Sequence, residues 1–296
     1  MAHSQSVSPS LASRCAAEML GTFILVLFGC GSVHAAVLTG AQSGLWQVAI
    51  VWGVAIMLAV YVVGGISGAH INPAISVALA VWGKFSWKDV LPYAVAQFLG
   101  AFVAAAALFA MYTGPLDDLE SRKHVVRGQP GSEITAMCYG EYFPNPGALG
   151  AGDSVYSAEQ HDKLNRLVTP RTAFLAELLG TLLLGLVVAA LTDDRHHGGP
   201  AAGMAPVFIG LTVSVLISII APLTQACFNP ARDFGPRVFA CLAGWGNVAL
   251  PGSRGAAIYA VYLAAPIIGA ALGMGLYFRL LKNWLPPASL PDRQAR

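Results

Sequence analysis

The chain has 296 residues, 56% of them hydrophobic and only 11% charged, with a formal net charge of +2 and a mean hydropathy of +0.62. Soluble domains carry about 25% charged residues, so this composition excludes an ordinary soluble protein and points to one built into a membrane. No basic stripe suggests a nucleic-acid partner. The five cysteines (Cys15, Cys30, Cys138, Cys227 and Cys241) are scattered without metal-ligand spacing, so no disulfide or metal site is predicted.

The polar stretch 1–13 reads as a tail. The apolar run after Arg14 contains Glu18 and is long enough to span, so it reads as a first membrane helix rather than a cleaved signal. Counting this one, six long apolar segments occur in order, at about 15–38, 46–64, 90–112, 171–191, 204–221 and 256–281. Two shorter runs, near 72–82 and 229–241, fall below the roughly 20 residues that cross a bilayer. Each opens on the same triplet, Asn72-Pro73-Ala74 and Asn229-Pro230-Ala231. Asn is a good helix N-cap because its side-chain oxygen accepts from a free backbone N–H. Pro suits the first helical position, where its missing N–H costs nothing. The triplets therefore predict two half-spanning helices. The stretches before them, Gly64-Gly65-Ile66-Ser67-Gly68 and Ala221-Pro222-Leu223-Thr224, are rich in breakers. They predict non-helical backbone that is buried in protein or lines a water-filled cavity.

The segment 113–169 holds most of the acidic residues and no long apolar run, and reads as a polar loop in which Tyr139, Tyr142 and Phe143 pack locally or form a short helix. Arg14, Lys84, Lys88, Arg195, Arg279, Lys282, Arg293 and Arg296 fall on one side if the chain crosses six times. That side is then cytoplasmic, with both termini, and the loop 113–169 is extracellular.

An internal repeat is visible. Ala17-Glu18-Met19-Leu20-Gly21-Thr22 matches Ala176-Glu177-Leu178-Leu179-Gly180-Thr181, Gly53 pairs with Gly210, and Gly100-Ala101 with Gly269-Ala270. Each half, about 14–112 and 170–282, has three spans and one half-helix. Three is odd, so the halves are inverted copies. The fold class predicted is an all-α membrane protein of six transmembrane helices and two re-entrant half-helices within 14–282, followed by a tail at 283–296.

Inversion brings the two Asn-capped ends together at the midplane. Each half-helix is about 15–18 Å long at about 1.5 Å per residue, so two end to end match the roughly 30 Å hydrocarbon core. With their oxygens used as caps, the amide NH₂ groups of Asn72 and Asn229 remain as donors to a passing hydroxyl or water. A water so held points its hydrogens away along the pore, which breaks a proton wire. The positive helix ends oppose cations as well. Arg232, in the first turn of the second half-helix, reads either as a snorkelling side chain or as a donor facing the lumen. Asp233 complements the helix dipole and can pair with Arg237 one turn on. His70 reads as a buried hydrogen-bonding residue. His34, His196 and His197 read as surface or interfacial positions.

Together these residues resemble the major intrinsic protein family, the aquaporins and aquaglyceroporins. The resemblance covers about 14–282 except the long loop. It implies a six-helix, two-half-helix bundle, a homotetramer with one pore per subunit, and passive flux with no cofactor and no catalysis. Asn-Pro-Ala-Arg-Asp-Phe-Gly-Pro-Arg (229–237) looks like the glycerol-facilitator branch. The resemblance also implies a narrow filter at Trp52, Ile217, Ala226 and Arg232. Trp52 and Arg232 match the glycerol type, whereas Ile217 stands where Gly is usual and Ala226 where an aromatic is usual. Tyr262-Leu263 is likewise mixed. Trp52 is alternatively a packing residue. By the same resemblance Glu18 and Glu177 brace the loops before the half-helices, with proton relay as the other reading of two intramembrane carboxylates.

The expected function is a plasma-membrane channel for glycerol or similar small neutral polyols and water that excludes protons and ions. A channel mainly for water, urea or another small neutral solute is an alternative. So is a proton-coupled secondary transporter, since inverted repeats and broken helices occur there too.

Overall fold

The structure, a computed structural model, describes residues 9–147, 157–196 and 198–286. Most of the N-terminal tail, the C-terminal tail from 287 with Arg293 and Arg296, loop positions 148–156 and His197 lie outside the described residues.

Every regular element among the described residues is helical. In chain order they are α1 (Leu11–His34), α2 (Leu45–Ser67), α3 (Pro73–Val81), α4 (Trp87–Lys123), α5 (Glu133–Ala136), α6 (Ala158–Leu167), α7 (Pro170–Leu191), α8 (Ala205–Thr224), α9 (Pro230–Ala240), α10 (Ala257–Tyr259) and α11 (Ala265–Arg279). The π-type turn Ala260–Ala264 joins α10 to α11, so that Ala257–Trp284 forms one span. Among the described residues six spans are long and apolar enough to cross a membrane, and α3 and α9, of 9 and 11 residues, are too short to do so. Large apolar side chains such as Leu91, Ile219 and Leu272 face outward, whereas the interior is rich in Ala and Gly. An apolar exterior on this scale needs lipid.

Packing repeats as the sequence does. α1 lies on α2 and α4, α7 lies on α8 and α11, and α2 meets α8 at the centre. Small residues allow the close approaches. A Cβ on Gly100 would strike the Met19 carbonyl, and one on Gly269 the Leu178 carbonyl. Gly53 and Gly210 face each other across α2 and α8, where a Cβ on Gly53 would come within 2.6 Å of the Gly210 carbonyl oxygen.

Three sequence expectations need correction. The breaker-rich approaches are helical for longer than predicted: α2 runs through Ser67 and α8 through Thr224, Pro222 included. Their last carbonyls are satisfied from outside the helix, with the Tyr93 hydroxyl donating to Ser67 O (2.9 Å) and the Tyr262 hydroxyl to Thr224 O (3.1 Å). The third span does not end near 112. α4 continues through Pro115 to Lys123, because Leu116 and Leu119 bury one face and Arg122 pairs with Asp118 (2.8 Å) on the other. His34 is buried rather than interfacial, with Nδ1 2.8 Å from Cys30 O and its ring edge-on to Tyr139, because the loop folds back over the end of α1.

Candidate functional site

Two short non-helical connections, Gly68–Asn72 and Gln225–Asn229, lead into α3 and α9. Both use left-handed backbone at non-glycine residues: Ala69 (φ 48°) and Ile71 (φ 43°) in the first, Gln225 (63°), Ala226 (63°) and Phe228 (53°) in the second. Each such residue costs about 1–2 kcal/mol, so something must hold the path. Two buried carboxylates do. Glu18 accepts from the His70 N–H (2.9 Å), the Ile71 N–H (2.6 Å), the Ser67 hydroxyl (2.6 Å) and Gln97 Nε2 (2.7 Å). Glu177 accepts from the Cys227 and Phe228 N–H groups (both 2.9 Å) and the Thr224 hydroxyl (2.6 Å).

The connections end at the two asparagines. Asn72 Oδ1 accepts from the Ala74 N–H (2.8 Å), and Asn229 Oδ1 from those of Ala231 (3.1 Å) and Arg232 (3.3 Å). Pro73 and Pro230 each take the first helical position. The amide groups are less free than capping alone would leave them. Asn72 Nδ2 donates to Phe228 O (2.9 Å) and Asn229 Nδ2 to Ile71 O (2.8 Å), so each stitches its tip to the opposite connection. One N–H per amide remains, and both asparagines line a cavity of about 270 Å³. Residues of both connections line that cavity, together with apolar side chains that include Ile56, Val60, Leu184, Val188 and Val213.

Trp52, Ile217, Ala226 and Arg232 all line this cavity. Trp52, Ile217 and Arg232 also line a second, outer cavity of about 580 Å³. The two cavities therefore meet at these side chains. The Arg232 guanidinium lies 4.1 Å from the Trp52 ring centroid, a cation–π geometry.

Arg232 does not stand alone, and here sequence reading missed a residue. The loop between α5 and α6 dips back, and the carboxylate of buried Glu141 pairs with Arg232 Nη1. A dense polar network places it. The Glu141 N–H donates to Asp233 Oδ1 (2.6 Å), and Arg237 Nη2 donates to Glu141 O. Arg237 also pairs with Asp233 (2.9 Å) and donates to Ala249 O (2.7 Å). The Tyr142 N–H donates to Gln225 Oε1 (2.8 Å), and Asn145 Nδ2 to Ala221 O (2.8 Å). The only sequence signal for this was a cluster of aromatics in an otherwise polar loop.

At the opposite mouth His70 lines the cavity, with Nδ1 3.0 Å from Ser76 Oγ and its ring against Phe85 and Tyr93. Thr192 lies at the rim, and Asp193 beside it binds Lys282 Nζ (2.6 Å) and the Tyr277 hydroxyl (3.0 Å). Burial alone would raise the Asp193 carboxyl. The Lys282 ammonium, the Arg195 N–H and the Tyr277 hydroxyl overcome this and hold it below the ordinary carboxylate value. Among the described residues no three His, Cys, Asp or Glu side chains converge where a metal ion could sit.

Six membrane spans, two half-helices meeting tip to tip and two cavities that share Trp52, Ile217 and Arg232 define a transmembrane channel. The chain belongs to the major intrinsic protein family, whose profile matches residues 5–277. It is 40% identical to the glycerol uptake facilitator protein of Pseudomonas aeruginosa over 284 residues, covering 96% of this chain and 94% of that protein. It is 39% identical to the one of Escherichia coli (strain K12), covering 95% and 92%. The propanediol uptake facilitator of Salmonella typhimurium is 38% identical, covering 95% and 98%. The aquaglyceroporin from Plasmodium falciparum shares the fold, with a TM-score of 0.76 at 23% identity, covering 93% of this chain and 99% of that one.

Proposed function

We propose that this chain passively conducts glycerol and similar small neutral polyols, with water, and excludes protons and ions. The observation that carries the reading is the mixed lining of the cavity: apolar side chains suit a carbon backbone, while the two connections and the two asparagine amides offer partners for its hydroxyls. The curated relatives named as glycerol uptake facilitators, 39–40% identical over nearly the whole chain, support it. In this reading Trp52, Ile217, Ala226 and Arg232 form the selectivity filter, and Pro73, Ala74, Pro230 and Ala231 complete the pore tips. Glu18, Glu177, His70, Asp233 and Arg237 support them. The repeats 14–112 and 170–282 flank an extracellular loop, both termini are cytoplasmic, and the protein sits as a homotetramer in the plasma membrane.

Purified protein in vesicles tests this by stopped-flow light scattering. Swelling in an isotonic glycerol gradient well above that of empty vesicles is expected, and no excess swelling sinks the glycerol reading. Flux that only follows the solute's own gradient is expected, and uphill flux under a pH gradient would instead favour a coupled transporter. The hydrogen bonds on Glu18 and Glu177 support bracing over proton coupling.

Ile217 and Ala226 favour a second reading in which water, urea or another small neutral solute dominates. A panel of water, glycerol, urea and larger polyols distinguishes the two. Ala226→Phe narrows the side that alanine leaves wide, and should shift the ratio of glycerol to larger-polyol flux toward glycerol.

A further inference from the structure

Trp82, at the end of α3, docks on α11. Its indole N–H donates to Ala271 O (2.8 Å), and its ring fills the notch left by Gly275. Phe278 lies beside it, with ring centroids 6.3 Å apart. Three cations converge on these two rings. Arg279 Cζ is 5.4 Å from the Trp82 centroid, and Lys84 Nζ and Lys282 Nζ are 5.4 and 5.6 Å from that of Phe278. Asp193 neutralises Lys282. Lys84 and Arg279 are exposed, and neither has an ion pair among the described residues. Like charges gathered over aromatic rings repel one another, and an anion placed between them turns that repulsion into attraction.

What lies beside this cradle identifies the anion. Ile268, Leu272 and Leu276 are exposed at helical spacing, and Arg279 follows on the same face of α11. At about 1.5 Å per residue that stripe is about 16 Å long, close to one leaflet of a roughly 30 Å hydrocarbon core. Trp284, exposed just beyond, suits the membrane–water boundary. We propose that Lys84 and Arg279, over the Trp82–Phe278 platform, bind the phosphate headgroup of an anionic phospholipid whose acyl chain lies along Ile268, Leu272 and Leu276.

The test is native mass spectrometry of the full-length protein in detergent, titrated with dioleoylphosphatidylglycerol or dioleoylphosphatidylcholine. Two unpaired cations at about 1 kcal/mol each predict about thirtyfold tighter binding of the anionic lipid. Lys84→Gln with Arg279→Gln should abolish that preference, Lys84→Gln alone should reduce it about fivefold, and the charge-keeping pair Lys84→Arg with Arg279→Lys should retain it. Glycerol-driven swelling in phosphatidylcholine vesicles should be unchanged in every variant, which reports on folding. Soluble glycerol phosphate should not displace the lipid. Equal binding of the two lipids, an unchanged preference in the double Gln variant, displacement by soluble glycerol phosphate, or a second copy of the chain occupying this face in place of lipid would each overturn the proposal.

Discussion

The two half-helices share a backbone and differ in nearly everything after the tip. Each is fed by a left-handed connection, braced by a carboxylate from the first helix of its own half, and capped by an asparagine that donates across to the other. Even the tyrosines that close the preceding helices correspond, Tyr93 on Ser67 and Tyr262 on Thr224. Beyond the caps, Ile75, Ser76 and Ala80 of α3 stand where α9 has Arg232, Asp233 and Arg237. The first mouth is apolar with a small hydroxyl network at His70 and Ser76. The second is charged and held by a loop that has no counterpart at the first among the described residues. Backbone strain needs the same remedy at both tips. The chemistry presented to a solute is set by residues that the strain does not constrain, and so the two ends were free to diverge.

The largest effect should come from breaking what is shared. Glu18→Gln or Glu177→Gln turns an acceptor oxygen into a donor that faces backbone N–H groups at membrane depth. Each stranded group costs about 1–3 kcal/mol, so both variants should give a sharply reduced yield of folded protein in detergent. Equal loss from the two would support a common role, and normal yield from either would refute it.

Next comes the asymmetry. Asp233→Ala leaves Arg237 buried without its carboxylate partner, at about 3–5 kcal/mol. The corresponding Ser76→Ala removes one hydroxyl network, at about 1 kcal/mol. Thermal unfolding in detergent should rank them clearly, and a similar melting temperature for both would mean that the charged network at the second tip is not structural.

Gly53→Ala and Gly210→Ala test the symmetric contact between the halves. Each adds a Cβ against the other's backbone carbonyl, an overpacking that costs about 1–3 kcal/mol, and the two should destabilise to a similar degree. The smallest effect is at the rim. Asp193 has a lowered carboxyl pKa, so its contribution is present above its ordinary pKa of about 3.9 and is lost as pH falls through its lower folded value. Asp193→Asn should cost less than about 1 kcal/mol near neutral pH, and nothing once the medium is acid enough to protonate Asp193 in the parent. A larger loss at low pH than at neutral pH would reverse that sign.

Much of the architecture was legible because it rests on local chemistry. Span length, the Asn–Pro start signals and the paired motifs each follow from a few neighbouring residues, and the inversion follows from counting three spans per half. The end of α4 was misread because Thr113-Gly114-Pro115 looks like a stop. Burial of Leu116 and Leu119 outweighs the lost hydrogen bond, and no local rule contains that burial. His34 was misplaced for the same reason, since its neighbours Tyr112 and Tyr139 arrive from a different helix and a distant loop.

By itself the sequence determined a membrane-spanning inverted repeat with two asparagine-capped half-helices, since hydropathy and capping act over a few residues. Only the tertiary structure decided that each asparagine amide binds the opposite connection, and that Glu141 reaches Arg232 from a loop about ninety positions away in the chain. Those contacts join segments remote in sequence, and a buried charge finds its partner only once the whole bundle has excluded water from around it.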